Sequence, residues 1–263
     1  MQAIQTLPAS ALRRVRGVLT DIDGTITTDG RLPASTYLAL DRLKAAGLHV
    51  IPVTGRCIAW AEILTRLWPV DAIIGENGAF YSHLRAGKLL TRYLDDAITR
   101  AGNLARIQAL GERIVRQVPG CALASDQAWH AADLAIDHAE DVAPLPAGAV
   151  ERIASLMREA GMTATVSSIH VNGWFGQHDK LSMSRLCVAE LLGADLDAGR
   201  DEWLFIGDSA NDASMFAHFP LSVGVANIRD ILPQLPARPA YITEAACGEG
   251  FAEMAALLLA ARD

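Results

Sequence analysis

The chain has 263 residues, of which 51% are hydrophobic and 20% charged, a composition typical of one or two globular domains and not of a disordered chain. Its net charge of −7 is not accompanied by a basic block, which argues against nucleic acid as a partner. No segment has the apolar length that a membrane span or a signal peptide requires, so we expect a cytoplasmic protein without a membrane partner.

The cysteines do not form a recognisable metal or disulfide pattern. They stand far apart and include no CxxC pair: Cys57, Cys121, Cys187 and Cys247. Because disulfide frameworks and zinc sites usually show closely spaced cysteines, we expect reduced thiols, as is common in the cytoplasm.

The first predicted strand leads directly into two carboxylates. Val18 and Leu19 precede Asp21 and Asp23, and Gly24 follows them. Because side chains alternate along a strand, both carboxylates leave the strand end in the same direction. Two like charges this close require a proton or a cation, and glycine lets the chain turn and a ligand approach. An Asp-rich turn without a function would show the same pattern, so the later segments decide.

Strands and helices alternate through the next residues. We predict a helix from about residue 33 to Gly47, a strand over 49–54, a helix over 57–68 and a strand over 72–74 that runs into Gly-Glu-Asn-Gly at 75–78. This alternation is typical of parallel βαβ units, which bind ligands at the carboxyl ends of their strands. Thr54 and Asn77 lie at such ends, as do Asp21 and Asp23.

Residues 81–179 have a different pattern, which predicts an inserted α+β module. Its predicted elements are a hairpin over 81–93, a helix over 96–118, a strand over 133–138, a helix over 147–160 and one long strand over 162–175. On that last strand Ser168, His170, Asn172 and Trp174 share one face. This face is either solvated, as is common in antiparallel sheets, or directed at a substrate, in which case His170, Asn172 and Arg92 would reach the pocket.

The alternation of strands and helices then resumes. Lys180 begins a helix that ends near Leu192, and a lysine at this helix end is unfavourable unless an anion lies nearby. A strand over 203–206 ends in Gly-Asp-Ser-Ala-Asn-Asp at 207–212, which places Asp208 and Asp212 on another strand-end loop. Strands over 221–226 and 240–242 and a helix over 251–262 complete the chain.

The strand ends and the helix start together supply four carboxylates, one hydroxyl and one ammonium group: Asp21, Asp23, Asp208, Asp212, Thr54 and Lys180. Oxygen ligands without His or Cys favour Mg²⁺, and a Mg²⁺ ion and a lysine facing a hydroxyl form an anion site suited to phosphate. Phosphoryl transfer needs in-line positioning and charge neutralisation. One carboxylate can serve as the nucleophile and a second as the acid and then the base.

Four ordered motifs resemble those of the haloacid dehalogenase (HAD) superfamily of phosphatases: Asp-Ile-Asp-Gly-Thr at 21–25, Val-Thr-Gly-Arg at 53–56, Lys180, and the 207–212 loop. The α+β module between the second and third motifs, and the 75–78 stretch, resemble the subgroup with a C2-type cap (IIB). That subgroup includes sucrose-phosphate, mannosyl-3-phosphoglycerate, phosphoglycolate and Cof-type phosphatases. Residues 223–227 depart from the family pattern, because relatives usually have Met-Gly-Asn-Ala there.

The resemblance implies an α/β fold with a Rossmann-like parallel-sheet core, formed by residues 1–80 and 180–263, and an inserted α+β cap over 81–179. It implies that Asp21 is the nucleophile, that Asp23 is the general acid and base, and that Thr54 and Lys180 hold the phosphoryl oxygens. The implied Mg²⁺ ligands are Asp21, Asp208 and Asp212, with Asp23 contributing its backbone carbonyl. The expected substrate-binding residues are Gly55, Arg56, Asn77, His170, Asn172 and Asn211.

The predicted function is a Mg²⁺-dependent phosphatase that hydrolyses a small phosphorylated metabolite, a sugar phosphate or a phosphoglycerate-type compound, through an aspartyl-phosphate on Asp21. Two alternatives remain open from the sequence. A phosphomutase of the same superfamily would share these motifs, and a non-catalytic phosphometabolite-binding module would keep the anion site without needing both Asp21 and Asp23. We expect a monomer or a homodimer.

Overall fold

A computed structural model describes residues 1–262 and arranges the strands in three sheets. In chain order the strands are β1 (Gln2–Ala3), β2 (Gly17–Thr20), β3 (His49–Pro52), β4 (Ala72–Gly75), β5 (Phe80–Arg85), β6 (Lys88–Tyr93), β7 (Ala122–Leu123), β8 (Asp133–Asp137), β9 (Thr163–Val166), β10 (His170–Trp174), β11 (Trp203–Gly207), β12 (Leu221–Gly224) and β13 (Tyr241–Ile242). The α-helices are α1 (Ala9–Leu12), α2 (Ala34–Ala45), α3 (Ile58–Leu67), α4 (Ala97–Gln117), α5 (Ala147–Glu159), α6 (Lys180–Leu192), α7 (Ala213–His218) and α8 (Cys247–Ala260). Short 3₁₀ helices include Glu76–Gly78, Gln127–Trp129 and Ala210–Asp212.

The central sheet has six parallel strands in the order β1–β13–β12–β11–β2–β3. Successive side chains along a strand pack into two different apolar clusters, one on each face of the sheet, as expected for strands buried on both faces. Val18 and Leu204 pack with α2 and α8 on one face. Leu19 and Phe205 pack with α6 and α7 on the other. Helices on both faces of a parallel sheet confirm the predicted Rossmann-like α/β core.

Strand β4 leads out of the central sheet. One parallel bridge joins Val53 to Ile74, and β4 then pairs antiparallel with β5, which pairs with β6. The predicted hairpin is confirmed: Ala86 and Gly87, with φ of 49° and 74°, form the two-residue turn with positive φ that hairpins favour. The hairpin therefore continues from the last strand of the core, while the boundary at residue 81 stays a prediction.

The third sheet is antiparallel, with the order β7–β8–β10–β9. Helices α4 and α5 cover one face, where Leu134, Ile136 and Val171 form an apolar cluster with them. The opposite face carries the alternate residues of β8 and β10, including Asp133, His170 and Asn172, and these are also buried. Strands and helices of this kind confirm the predicted α+β character of the middle of the chain.

The prediction of one long strand over 162–175 is wrong. Residues 167–169 form a turn between β9 and β10, because the Ser167 hydroxyl accepts a hydrogen bond from the backbone N–H of His170 at 3.0 Å and so offers the chain an alternative to a continued strand. Ser168 therefore lies in the turn. The solvated interpretation of the β10 face is also wrong, since His170, Asn172 and Trp174 are each no more than 4% exposed.

Within residues 1–262, no helix combines the length and the apolar character needed to cross a membrane. The four cysteines are free thiols, and three of them are buried. Cys57 lies immediately before α3, and Cys247 begins α8.

Candidate active site

A pocket lies between the carboxyl edge of the central sheet and the four-stranded sheet. From the central sheet and its loops it is lined by Asp21, Asp23, Gly55, Arg56, Ser209 and Asn211. From the four-stranded sheet it is lined by Ser167, Ser168, Ile169, His170 and Asn172. The structure thus brings most of the residues predicted from the sequence to one place.

The order of the central strands explains this arrangement. Strands β3, β2 and β11 are parallel neighbours, so the loops after them meet at one edge of the sheet. Asp21 directly follows β2, and Asp208 directly follows β11. Gly24 has a φ of +76°, and a Cβ at this position would collide with the Asp208 side chain. Only glycine tolerates both conditions, so it lets the two loops approach each other.

Lys180 is at the centre of a buried charged cluster. Its Nζ donates to Asp21 Oδ1 at 2.5 Å and to Asp212 Oδ1 at 2.7 Å, and its side chain is 1% exposed. A capping box formed by Asp179 and Ser182 fixes the start of α6 and hence the lysine. Burial alone would lower the pKa of Lys180, but the two carboxylates raise it above its usual range, so the ammonium group is charged at neutral pH. A lysine at the start of a helix is unfavourable unless an anion lies nearby. The carboxylates of Asp21 and Asp212 are that anion here.

The same cluster carries an excess of negative charge. Asp21, Asp208 and Asp212 each place one carboxylate oxygen within 4.8 Å of the other two. Burial raises the pKa of Asp21 to about 7, because Lys180 only partly offsets the burial and the repulsion from Asp212 and Asp23. Burial and the neighbouring carboxylates also raise the pKa of Asp208 well above its ordinary value. A further positive charge would relieve both groups.

These carboxylates fit a magnesium ion. Asp208 Oδ1 is buried without a hydrogen-bond partner among the described residues, an arrangement that is costly unless a cation or water binds it. The other Asp208 oxygen accepts a hydrogen bond from Asn227 Nδ2 at 2.9 Å. Asp212 Oδ2 accepts the backbone N–H groups of Asp208 and Ser209 at 3.0 and 3.2 Å, which fixes its orientation. Oxygen donors of this kind favour Mg²⁺ over softer metals.

Asn227 is a site residue that the sequence pattern does not identify. Its amide nitrogen contacts both Asp208 and the backbone carbonyl of Gly24, and its amide oxygen accepts from the backbone N–H of Cys247. It lies in the 223–227 stretch that departs from the family pattern. Its position as a polar residue just beyond a predicted strand is the only feature of the sequence that points to a role at the site.

The Asp23 side chain lies outside the three-carboxylate group and is held by Arg56. The guanidinium donates to both Asp23 oxygens, with Nη2–Oδ1 at 2.8 Å and Nε–Oδ2 at 3.0 Å. The same guanidinium donates to Glu140 Oε1 at 2.6 Å, and His170 Nε2 lies 2.9 Å from Glu140 Oε2. Through His170 and Arg56 the pKa of Glu140 is lowered to about 2. The Glu140 carboxylate thus lies between the Arg56 and His170 side chains at the pocket.

Glu140 is a second pocket residue that the sequence pattern does not identify. It lies in the loop after β8, where Asp137 accepts hydrogen bonds from the backbone N–H groups of Ala139, Glu140 and Asp141 at 2.8–3.0 Å. This Asx-type turn directs the loop towards Arg56. Nothing in the local pattern distinguishes Glu140 from a surface glutamate, since its partners are distant along the chain.

Thr54 and Asn77 are buried next to the pocket. The Thr54 hydroxyl accepts the backbone N–H of Arg56 at 3.0 Å. Asn77 accepts from Asn211 Nδ2 at 3.2 Å, and its own Nδ2 is buried without a partner among the described residues. A Cβ on Gly55 would lie 3.2 Å from that nitrogen and 3.5 Å from Asn172 Oδ1. The amides of Asn77 and Asn172 therefore converge above Gly55.

Arg92 is not at the pocket, so the prediction that it reaches the substrate is wrong. It lies on β6 with nearly half of its side chain exposed, and its Nε is 3.6 Å from Glu190 on α6. The reason is the pairing of the hairpin, which extends β4 instead of joining the sheet that covers the pocket.

A buried network holds Asn172 in place. Asn172 Nδ2 donates to Asp133 Oδ2 at 2.9 Å, Asp133 pairs with His130 Nδ1, and His130 Nε2 lies 3.2 Å from Asp126 Oδ1. Glu76 accepts the backbone N–H groups of Ala131, Ala132 and Asp133, at the start of β8, at 2.6–3.2 Å. Burial alone would lower the pKa of His130, but Asp133 and Asp126 raise it well above its ordinary value. His130 is therefore charged at neutral pH and is paired on both sides.

We expect Asp133→Asn to lower the free energy of unfolding by about 3 kcal/mol, because a buried imidazolium loses an ionic partner. A raised pKa means that protonated His130 stabilises the fold at pH values below its unfolded pKa of about 6.5, and that this contribution is lost as the pH rises through the higher folded pKa. The difference between wild type and variant should be largest below about pH 6.5 and shrink in alkaline solution. Urea unfolding across this range measures it, with the exposed Asp201→Asn as control; a difference that grows with pH would contradict the charge assignment.

Comparison with known proteins agrees with this geometry. A profile of haloacid dehalogenase-like hydrolases matches residues 18–102. A phosphoglycolate phosphatase of Halorubrum lacusprofundi is 31% identical over 210 residues, which are 79% of this chain and 82% of that protein. The chain belongs to the haloacid dehalogenase-like hydrolase family. A second phosphoglycolate phosphatase, of Methanospirillum hungatei, is 26% identical to this hydrolase over 244 residues, 91% of this chain and 95% of that protein.

The fold of the hydrolase also matches a solved structure. The sucrose-phosphatase of Synechocystis, solved with sucrose and phosphate, superimposes with a TM-score of 0.64 at 16% identity, covering 94% of this chain and 98% of that one. Because the identity is low, this likeness shows only that the two chains share a fold. Together with the phosphatase relatives, these findings confirm the predicted family, the α/β fold with a cap, and the enzyme class: this hydrolase is a phosphoric monoester hydrolase that acts on small phosphorylated substrates.

Proposed function

We propose that this hydrolase is a Mg²⁺-dependent phosphatase for a small phosphorylated metabolite, of the sugar phosphate or phosphoglycerate type, and acts through an aspartyl-phosphate on Asp21. The observation that carries the proposal is the contact of Asp21 with buried Lys180 at the pocket wall, beside Asp208 and Asp212. This arrangement places a nucleophile, a fixed positive charge and cation ligands together. We also propose that residues 1–80 and 180–263 form the catalytic core and 81–179 the cap.

The proposed reaction has two displacements at phosphorus. An Asp21 carboxylate oxygen attacks, the bond from phosphorus to the ester oxygen breaks in line, and Asp23 gives its proton to the departing oxygen. Asp23 then takes a proton from water, which attacks the aspartyl-phosphate, releases phosphate and restores Asp21. Lys180 and Thr54 would hold the phosphoryl oxygens during both steps.

The carboxylates of Asp21, Asp208 and Asp212, with the backbone carbonyl of Asp23, would hold the magnesium ion. When bound, Mg²⁺ would neutralise the crowded carboxylates and polarise a phosphoryl oxygen. Arg56 would keep the Asp23 carboxyl in one orientation, because it contacts both of its oxygens. A protonated Asp23 can still accept from Arg56 through its other oxygen while donating to the leaving group.

Among the possible substrates, we favour one whose leaving group carries a carboxylate. Arg56 and His170 line the pocket from opposite sides, and the structure already shows that this pair receives a carboxylate, that of Glu140. The phosphoglycolate phosphatases among the relatives act on a substrate of this class. In the complex, the substrate carboxylate would take contacts that Glu140 makes here.

Phosphate release from a panel of substrates tests the proposal. The panel contains phosphoglycolate, phosphoglycerate, mannosyl-phosphoglycerate, sucrose phosphate, a hexose phosphate and a nucleotide, each with Mg²⁺ and with a chelator. We expect Mg²⁺-dependent release, fastest from phosphoglycolate. Release that persists in chelator would overturn the metal requirement, and no release by a folded protein that binds Mg²⁺ would overturn the assignment as a phosphatase.

Glu140→Gln is expected to lower KM for phosphoglycolate by about tenfold, which corresponds to about 1.4 kcal/mol for removal of one like charge. Hydrolysis of an ester whose leaving group carries no carboxylate, such as p-nitrophenyl phosphate, should change by about twofold or less, because no second carboxylate enters the pocket. The exposed Glu151→Gln serves as the control. If Glu140→Gln raised KM for both substrates, Glu140 would instead be holding Arg56 in its working position.

A further inference from the structure

Cys57, Asp126 and His130 form a second cluster of metal-binding side chains, apart from the acidic one. Cys57 Sγ donates to Asp126 Oδ2 at 3.5 Å, and His130 Nε2 lies 3.2 Å from Asp126 Oδ1. One donor atom from each residue lies within 4.8 Å of the other two. Cys57 comes from the start of α3, whereas Asp126 and His130 flank the short helix before β8. The cluster therefore connects two separate parts of the chain.

His130 is oriented in the way that metal-binding histidines usually are. Its Nδ1 is held by the Asp133 carboxylate, which leaves Nε2 directed at Asp126 and Cys57. A carboxylate behind the imidazole fixes the ring and increases its basicity as a ligand. Asp133 is itself fixed by Asn172 at 2.9 Å. The outer contacts that support a metal site are thus already present.

The neighbouring group of Glu76, Asp133 and His130 Nδ1 is not a competing metal site. The Glu76 oxygens are occupied by backbone N–H groups, with Ala131 at 2.8 Å and Ala132 at 2.6 Å. Asp133 is used by Asn172 and by His130. These carboxylates support the ring from behind, while the Nε2 side of His130 meets the thiol and a carboxylate.

The spacing and the donor types suit zinc. Zinc bonds of about 2.0–2.3 Å in a tetrahedral site place neighbouring ligand atoms about 3.3–3.8 Å apart. The Asp126 carboxylate lies at comparable distances from both other side chains, 3.2 Å from His130 Nε2 through Oδ1 and 3.5 Å from Cys57 Sγ through Oδ2. A thiolate, an imidazole and a carboxylate together favour Zn²⁺, whereas the oxygen-only cluster at Lys180 favours Mg²⁺. Asp126 has 15% of its side chain exposed, which provides a path of entry.

We propose that Cys57, Asp126 and His130 bind one zinc ion, with water as a fourth ligand, and that this ion ties the start of α3 to the segment before β8. Binding would displace the thiol proton and the proton between His130 and Asp126, and both would leave to solvent. A search for CxxC pairs does not find such a site, because the aspartate lies 69 positions after the single cysteine. The site is independent of the phosphatase proposal, since its ligands differ from the pocket residues.

Cobalt(II) is the probe that tests the site, because it replaces zinc and gives an intense near-ultraviolet charge-transfer band when a thiolate binds it. Metal-free wild type, kept reduced with a phosphine, should develop this band with one equivalent of Co²⁺ and lose it when Zn²⁺ is added. The band should be absent in Cys57→Ser. It should persist in Asp208→Asn, because the acidic cluster contains no thiol.

Two further variants complete the test. Cys121→Ser is the matched control: its thiol donates to the Val118 carbonyl, which a serine can also do, and the band should be unchanged. Asp126→Asn should weaken Co²⁺ binding by about tenfold or more. Zinc at about 100 times its Kd should raise the Tm of wild type by about 5 °C or more, but not that of Cys57→Ser. A wild type without the band, or a band that survives Cys57→Ser, would overturn the proposal even if the cysteine variant proved unstable.

Discussion

Asp21→Asn is expected to lower kcat by about 10⁴-fold or more, the range found when a catalytic nucleophile is removed. The amide cannot form the acyl phosphate, while Lys180, Asp23 and the pocket stay in place. The measurement is kcat with Mg²⁺ on phosphoglycolate and on an aryl phosphate. Asp197→Asn, which removes a surface carboxylate paired with Arg185, is the matched control and should leave kcat unchanged. Activity within about tenfold of wild type would contradict an aspartyl-phosphate on Asp21.

The same substitution is expected to leave the protein folded, so that the loss of turnover in Asp21→Asn is not caused by unfolding. The pKa of Asp21 is raised to about 7, so its ionised form is disfavoured in the folded protein. A carboxylate with a raised folded pKa opposes folding above its unfolded pKa of about 3.9, and this cost is complete above about pH 7. Without Mg²⁺ at pH 8, the free energy of unfolding of Asp21→Asn should therefore equal or exceed that of wild type. A large loss would show that Asp21 is needed mainly as the partner of Lys180.

Much of the core could be predicted because its signals are local. The apolar run before Asp21 specifies a buried strand, and the carboxylates that follow it can only lie at the strand end. Helix α6 was predicted with the bounds that the structure shows, since Asp179 and Ser182 form a capping box at its start and Gly193 follows its end. Parallel neighbours then bring the strand-end residues to one edge without further information.

The contacts between the sheets could not be predicted, because they depend on how distant segments meet. Arg56 and Glu140 are 84 positions apart, and neither has a local pattern that identifies the other. The alternation over 162–175 suits one strand as well as two, and the Ser167 hydroxyl decides between them. The sequence of the hairpin does not indicate that its first strand, β5, pairs with β4. Helix α8 begins at Cys247, which has a φ of +52°, four residues before its predicted start.

Lys180→Met should lower the free energy of unfolding by about 3–5 kcal/mol, the range for removing one partner from a buried ion pair. Asp21 and Asp212 would lose the cation that contacts both of them at 2.5 and 2.7 Å. Lys44→Met is a matched control, because Lys44 pairs with Asp71 at the same 2.7 Å but is 28% exposed. That variant should lose about 1 kcal/mol or less and keep full turnover. Equal losses in the two variants, measured by urea unfolding, would contradict a special role for burial at Lys180.

Added Mg²⁺ distinguishes the two roles that we assign to Lys180, balancing the carboxylates and holding the phosphoryl oxygens. A cation bound to the carboxylates stabilises the folded protein by mass action, so it should restore part of the stability lost in Lys180→Met. It should not restore turnover, which we expect to stay about 10²–10³-fold below wild type because the donor to the phosphoryl oxygens is gone. Recovery of kcat together with stability would show that Lys180 acts only by balancing charge. Recovery of stability alone would show that this buried ammonium group takes part in the transition state.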